Sequence, residues 1–147
     1  MKSKKPAKQQ KEKTSIITSG KRKRAIARAV LKAGTGEVKV NNRPIDVFPP
    51  LSRLALQEPL IITQKVLPDA LNKVNIYVDV HGGGAEAQVE ASRLAIARAL
   101  VAHTASKELR DAFISYDRQL LVADVRRKET RKPGDSKARA KRQKSYR

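Results

Sequence analysis

The chain is short, strongly basic and free of cysteine: its 147 residues carry a formal net charge of +19. This length favours a single domain, and the lack of cysteine excludes disulfides, thiolate metal sites and cysteine nucleophiles. No apolar run approaches a membrane span, and the Lys-rich N-terminus lacks the apolar stretch of a secretory signal, so we expect a cytoplasmic protein without a membrane partner. With no Trp, three Tyr and two Phe, an aromatic base-stacking platform is not expected.

The positive charge is concentrated at the two ends of the chain. Residues 1–28 contain eleven Lys and Arg against one acid, residues 126–147 contain eleven against two, and the residues between them contain eleven of each sign. Segments as charged as the two ends bury too little apolar surface to offset the entropy of ordering them. We therefore predict three parts: a basic disordered leader (1–13), a globular domain (14–125) and an extended basic tail (126–147).

In chain order, the first clear pattern is an alternation of small or apolar residues with charged ones over residues 25–31. Ala27 and Leu31 share one face of this segment, whereas Arg28 lies on the other. The pattern predicts a strand whose outer face carries charge. A glycine turn at 33–36 then leads to a returning strand. Shorter strand segments are expected at 16–17 and 38–40.

The middle of the chain predicts helices around one further strand. Residues 51–57 follow two prolines, which suit the first turn of a helix, and Pro59 is expected to end that helix. A second helical turn is expected at 60–66. Alternation over 74–81 predicts a strand, and an alanine-rich helical periodicity over 85–107 predicts a long helix.

Three glycines at 82–84 separate this strand from the long helix. A Walker loop would need Lys and Ser or Thr after its last glycine, but Ala85 and Glu86 follow here. We therefore expect a tight turn, with the alternative that amides at the helix N-terminus contact an RNA phosphate. Asp79 and His81 share a strand face, but two ligands are too few for a metal, so no metal or cofactor is expected.

The last predicted strand covers residues 120–125, and no core position follows it. The tail interleaves Arg and Lys with small or polar residues, which lets its backbone lie close to a row of phosphates. A net charge of +19 on so short a chain indicates a nucleic-acid partner, because contacts between cations and phosphates release condensed counterions. An anionic membrane is disfavoured, because neither end has an amphipathic helix with bulky apolar anchors.

Within nucleic-acid binding, two alternatives to a place in a stable particle stay open. One is a free RNA chaperone or double-stranded RNA binder. The other is an enzyme acting on nucleic acid, which would need an acidic cluster able to hold Mg²⁺. The eleven acids of the middle of the chain are scattered, and no catalytic set of side chains stands out, so we do not expect an enzyme.

Three segments resemble the small-subunit ribosomal protein nine family. They are GKRKRAIARAVLKAGTGEVKVNNRPID (20–46), VDVHGGGAEAQVEASRLAIARAL (78–100) and KARAKRQKSYR (137–147). The resemblance covers residues 15–147 in order, and the ending Gln-Lys-Ser-Tyr-Arg is similar to the archaeal and eukaryotic branch.

This resemblance implies an α+β fold of two layers. A four-stranded sheet would carry helices packed on one face, as in the second domain of small-subunit ribosomal protein five, and its crossover would be left-handed, against the usual rule. The protein would lie in the head of the small subunit, bound to the rRNA and to neighbouring ribosomal proteins. The tail would reach the peptidyl-site tRNA during translation.

Two sets of side chains follow from the charge pattern and the resemblance. The rRNA-binding residues are expected to be Lys21, Arg22, Lys23, Arg24, Arg28, Arg126, Arg127, Lys128, Arg131, Lys132, Lys137 and Arg139. The tRNA-binding residues are expected to be Lys141, Arg142, Lys144, Ser145, Tyr146 and Arg147.

Overall fold

An antiparallel hairpin opens the fold in this computed structural model, which describes residues 15–146. Its strands are β1 (Ile16–Arg22) and β2 (Ala25–Ala33). They pair from Ile16 opposite Leu31 to Arg22 opposite Ala25. β1 is thus longer than the two-residue start expected from the sequence, and it takes cations of the N-terminal basic region into the sheet. The predicted leader, residues 1–13, lies outside the described residues.

The other strands are β3 (Val38–Val40), β4 (Arg43–Pro44) and β5 (Val74–His81), and the sheet order is β1-β2-β5-β3-β4. β5 runs antiparallel to β2 and parallel to β3, so β3 and β5 are joined by a crossover. The left-handedness of this crossover stays a prediction. The expectation of a four-stranded sheet is wrong, because the sheet has a fifth, short strand, β4. It forms because Asn41 and Asn42, both at positive φ, turn the chain back in a two-residue hairpin.

Residues 15–146 form three α-helices, α1 (Pro50–Val66), α2 (Ala85–Thr104) and α3 (Lys107–Tyr116), and two 3-10 turns, Ile45–Val47 and Arg118–Leu120. α2 packs across β1, β2 and β5, while α1 and α3 pack on α2 and on each other. Side chains on one face of β2 and β5, such as Ala27 and Ile76, are fully buried beneath these helices. The mixed α+β class with helices on one face of the sheet is therefore confirmed.

Small residues let α2 lie very close to β1. A side chain at Gly20 would collide with the carbonyl oxygen of Ala91 and would lie 2.8 Å from the Ala95 amide nitrogen. Thr18 Oγ1 also donates a hydrogen bond of 2.9 Å to the Ala95 carbonyl. The small side chains of α2 thus let its backbone contact the backbone of β1.

The expectation that Pro59 ends the first helix is wrong, because α1 runs through it. Proline removes one helical hydrogen bond and costs a helix interior about 3 kcal/mol. Here Pro59 is buried within the packing of α1, and Thr63 Oγ1 donates 2.7 Å to the Pro59 carbonyl. Tertiary packing outweighs the local penalty.

The helix expected over 85–107 is confirmed as α2, which ends three residues earlier, and the sequence analysis did not predict α3, which follows it. α2 ends where Ala105 adopts a left-handed conformation with φ of 49°. Ser106 then caps α3, with its hydroxyl accepting from the Leu109 amide. The chain turns here because Leu109 and Phe113, four residues apart, both enter the core.

The strand predicted over 120–125 is also wrong. Leu120 is buried and ends the second 3-10 turn, and the following residues are irregular. Arg98 Nε donates 3.0 Å to the Leu121 carbonyl, and Arg98 Nη1 donates 2.7 Å to the Ser19 carbonyl of edge strand β1. A guanidinium thus joins this segment to the sheet edge in place of a strand ladder.

Candidate nucleic-acid interface

Four of the predicted rRNA-binding cations are exposed on the hairpin. Lys23 and Arg24 form the two-residue loop between β1 and β2, and Lys23 has a φ of 52°, a conformation uncommon for residues other than glycine and asparagine. Lys21 and Arg28 extend from the strands on the side opposite the helices. The end of the hairpin therefore presents a group of cations to solvent.

Arg22 is placed differently from these four. Strand alternation turns it to the helix side of the sheet, where its guanidinium forms ion pairs with Glu90 of α2 and with Asp124. Its side chain is only 17% exposed. Because two carboxylates occupy this guanidinium, a contact of Arg22 with rRNA stays a prediction.

Asp124 is the acceptor of a second arginine at the point where the tail begins. The Arg126 side chain donates hydrogen bonds to Asp124, the shortest 2.7 Å from Nη2 to Oδ2, and the Arg126 amide donates 2.8 Å to Oδ1. These bonds, together with the one from Arg22, hold the pKa of Asp124 well below its usual range, so the carboxylate is ionised. Asp124 thus joins the tail to the body.

Sequence reasoning missed the roles of Glu90 and Asp124. The inward position of Arg22 was not predictable, because it follows from the pairing of Arg22 with buried Ala25 across the hairpin, and that register is known only from the structure. The role of Asp124 was not predictable either. Residues 120–125 were predicted to form a strand, and a strand pattern does not indicate that Asp124 pairs with Arg22, which is distant in the sequence.

The described part of the tail after Arg126 forms no helix or strand and is largely exposed. Its one ion pair among the described residues joins Arg139 and Glu129 at 2.6 Å, and this lowers the pKa of Glu129. Tyr146 is 87% exposed, and Arg147 lies outside the described residues. The other predicted tail residues are exposed: Arg127, Lys128, Arg131, Lys132, Lys137, Lys141, Arg142, Lys144 and Ser145.

The fold brings the start of the tail next to the hairpin. Lys21, Arg22 and Asp124 line one small surface cleft together with Val122, although about a hundred residues separate the two sides in sequence. The hairpin cations and Arg126, the first cation of the tail, therefore lie at the same end of the molecule. The distal predicted residues, 137–146, are not brought to the hairpin by any described contact.

The three glycines form the tight turn expected from the sequence. Gly82 and Gly83 have φ of 75° and 69°, and a side chain at Gly82 would lie 2.7 Å from the carbonyl oxygen of Arg24. The turn thus packs directly against the hairpin loop. Asp79 and His81 are exposed, and no group of three His, Asp or Glu side chains in residues 15–146 is arranged to hold a metal ion.

The arrangement defines the class of protein: an α+β domain with a cationic hairpin end from which a basic tail departs. Such a surface is of the kind that contacts the phosphates of a nucleic acid. No helix in the described part of the chain is long and apolar enough to cross a membrane.

Comparison with known proteins gives the family. The family described as Ribosomal protein S9/S16 matches residues 20–147. The "Small ribosomal subunit protein uS9" of Methanococcus maripaludis strains C7 and C5 is in each case 44% identical over 135 residues, covering 90% of this chain and 98% of the relative.

The chain therefore belongs to the ribosomal protein S9/S16 family. The resemblance stated from the sequence is confirmed, and the archaeal relatives agree with the branch indicated by the ending of the chain. Family membership also confirms that the protein is a ribosomal protein rather than an enzyme, located in the ribosome in the cytoplasm.

Proposed function

We propose that this structural component of the small subunit binds rRNA with its cationic hairpin end and the start of its tail, and reaches the peptidyl-site tRNA with the tail end. The observation that carries the proposal is the meeting of the hairpin and the start of the tail at one end of the body. In this arrangement the body lies in the subunit head beside neighbouring ribosomal proteins, and its fold is that of the second domain of small-subunit ribosomal protein five.

The hairpin cations act as phosphate ligands. Lys23 and Arg24 stand on a two-residue loop fixed by the sheet on one side and by the glycine turn on the other. A fixed guanidinium can hold a phosphate with two parallel hydrogen bonds, whereas a lysine acts as a point charge. Cations carried on a fixed backbone suit rRNA, because its phosphates are also fixed in the folded subunit.

The tail acts over a distance. Residues 126–147 span about 70 Å if fully extended at ~3.3 Å per residue. The first half, up to Arg139, follows rRNA, and residues 141–147 reach the tRNA. Contacts to phosphate position a ligand without reading its bases, which suits a site that must accept every tRNA. The leader (1–13), body (14–125) and tail (126–147) are in this proposal separate functional parts.

Sedimentation of a cell extract tests the rRNA part of the proposal. The protein is expected mainly with small subunits, and washing with moderate salt should leave it bound, because many phosphate contacts act together with neighbouring proteins. Recovery mainly in the free fractions, with a steep loss of RNA binding as salt rises, would instead support a free-standing RNA chaperone.

Deletion of residues 144–147 tests the tRNA part. We expect weaker tRNA binding at the peptidyl site of subunits containing the shortened protein, with subunit assembly unchanged, because Lys144, Ser145 and Tyr146 are exposed and lie outside the core. Removal of residues 1–4, which include Lys2 and Lys4, is the matched control at the other end. Equal tRNA affinity of subunits with the full-length and the shortened tail would contradict the proposal.

A further inference from the structure

The junction between body and tail is held by side chains rather than by backbone pairing. From Leu121 to Val125 the chain is irregular, and no strand ladder joins it to the adjacent edge of the sheet. Arg98 binds the Leu121 carbonyl, and three residues further on Arg22 binds the Asp124 carboxylate. Val125 is 88% exposed, so Asp124 is the last residue of the segment with a described contact to the body.

Asp124 is unusually enclosed for a residue at the start of a basic tail. Its side chain is 8% exposed and sits between Arg22 on the body side and Arg126 on the tail side. Glu90 of α2 holds the other edge of the Arg22 guanidinium. A carboxylate enclosed between two arginines is fixed in position as well as in charge, because each guanidinium constrains it through directional hydrogen bonds.

We propose that Asp124 is a positioning residue: paired with Arg22 and Arg126, it fixes the point and the direction in which the tail leaves the body, and thereby directs the distal tail to its ligand. Arg22 then serves the tail rather than an rRNA phosphate. This inference rests on the proposed tRNA contact of the tail for its functional consequence, but not for its structural one.

The physical reason is the effective concentration of the tail end at its site. A flexible junction lets the tail end sample a large volume, whereas a fixed junction restricts it to the part that contains the ligand. Removing the anchor therefore weakens binding even though no ligand contact is lost. In charge alone the change has the opposite sign, because neutralising an acid makes the protein more positive and favours RNA binding.

The structural consequence is tested in the free full-length protein. The chain has no cysteine, so spin labels can be placed selectively at Ser115→Cys on α3 and Thr130→Cys in the tail, both exposed. Asp124→Asn should broaden the distance distribution between these labels. A second pair, Ser19→Cys with Ser115→Cys, reports on the body and should not change.

Glu129→Gln is the matched control. It neutralises an acid that also pairs with an arginine, but both Glu129 and Arg139 belong to the tail, so the body is not involved. The Ser115–Thr130 distribution should keep its width in Glu129→Gln. An equal width in Asp124→Asn, or a broadening of the body pair as well, would overturn the proposal, the second because Asp124 would then hold the body itself.

The functional consequence is tested in subunits that contain each variant. We expect Asp124→Asn to lower peptidyl-site tRNA affinity about tenfold, Asp124→Glu to retain most of it, and Glu129→Gln to leave it unchanged or slightly higher. Higher affinity in Asp124→Asn would show that charge alone matters and would overturn the inference. Failure of the 144–147 deletion to weaken tRNA binding would instead count against the proposed function, while the label distances would still decide whether Asp124 anchors the tail.

Discussion

The hairpin and the tail are both rich in Lys and Arg, but only the hairpin has regular secondary structure. Residues 21–28 contain five cations and lie in a paired hairpin against α2, whereas residues 126–146 contain ten cations and form no helix or strand. Charge content alone therefore does not decide whether a basic segment folds. The difference lies in what stands between the cations.

In the hairpin, every second residue after the loop is small and buried. Ala25, Ala27 and Ala29 are fully buried against the helix layer, while Arg28 between them points outward. The alternation lets the same segment contribute to the core and to the cationic surface. In the tail, Ala138 and Ala140 separate the cations in the same way but are not part of the core. Their small side chains only let the backbone approach a row of phosphates closely.

The largest expected effect comes from breaking the contact that keeps the hairpin rigid. Gly20→Ala places a methyl group against the Ala91 carbonyl, which is backbone and can move only with α2. We expect a loss of unfolding free energy on the order of 2–3 kcal/mol, as for overpacked cores, measured by denaturant unfolding. Ser19→Ala in the same strand is the control, because its exposed side chain should change stability by less than about 0.5 kcal/mol. Equal stability of the two variants would mean that α2 does not hold β1 at Gly20.

Period-two alternation records which face of a strand is buried, but not which strands pair. The glycine turn at 33–36 was expected to return the chain as the partner of β2, and this is wrong, because β2 pairs with β1 and β5 while β3 pairs with β5 and β4. The pattern over 25–31 predicted β2 and its buried face, and the same kind of pattern predicted β5. The failures occurred where side chains from elsewhere in the chain decide the structure. Pro59 stays helical because α1 is packed on α2. Residues 121–125 are irregular, and Arg98 of α2 donates a hydrogen bond to the Leu121 carbonyl where a strand would have paired through its backbone.

The candidate interface was predictable as a list of cations but not as a geometry. Sequence reasoning assigned Lys21, Lys23 and Arg24 to rRNA binding, which stays a prediction, and the structure shows that all three are exposed. It also assigned Arg22 to rRNA, because a run of four basic residues gives no sign of which one turns inward. Its partners, Glu90 and Asp124, are 68 and 102 residues away along the chain, and only the tertiary fold brings them together.

The hairpin and the tail are expected to bind different ligands, and a change in the hairpin loop tests its contact with rRNA. Arg24→Gln removes a fixed cation from the hairpin loop and should weaken binding of the protein to small-subunit rRNA. The slope of log affinity against log salt should fall by about 0.7–0.9, the value for one phosphate contact. Lys65→Gln, an exposed cation on α1, should change neither quantity. Equal salt slopes for Arg24→Gln and the unchanged protein would remove the hairpin loop from the rRNA interface.

The smallest expected effect concerns the last residue of the tail. If Arg147 contacts a tRNA phosphate, Arg147→Ala should lower peptidyl-site affinity by a similar factor for every tRNA, because the phosphate backbone is common to all of them. The expected loss is about 1 kcal/mol or less, since the contact is a single exposed ion pair. The measurement compares several tRNA species on subunits with and without the change.

A loss that depends strongly on the tRNA would mean that Arg147 reads bases, because base edges differ between tRNAs whereas phosphates do not. The tail would then resemble the hairpin in having a defined partner geometry. If Arg147→Ala lowers the affinity for every tRNA by a similar factor and leaves the salt dependence of rRNA binding by the free protein unchanged, the hairpin and the tail bind different ligands. The hairpin would hold a fixed RNA, and the tail would contact a ligand that is exchanged in every round of translation.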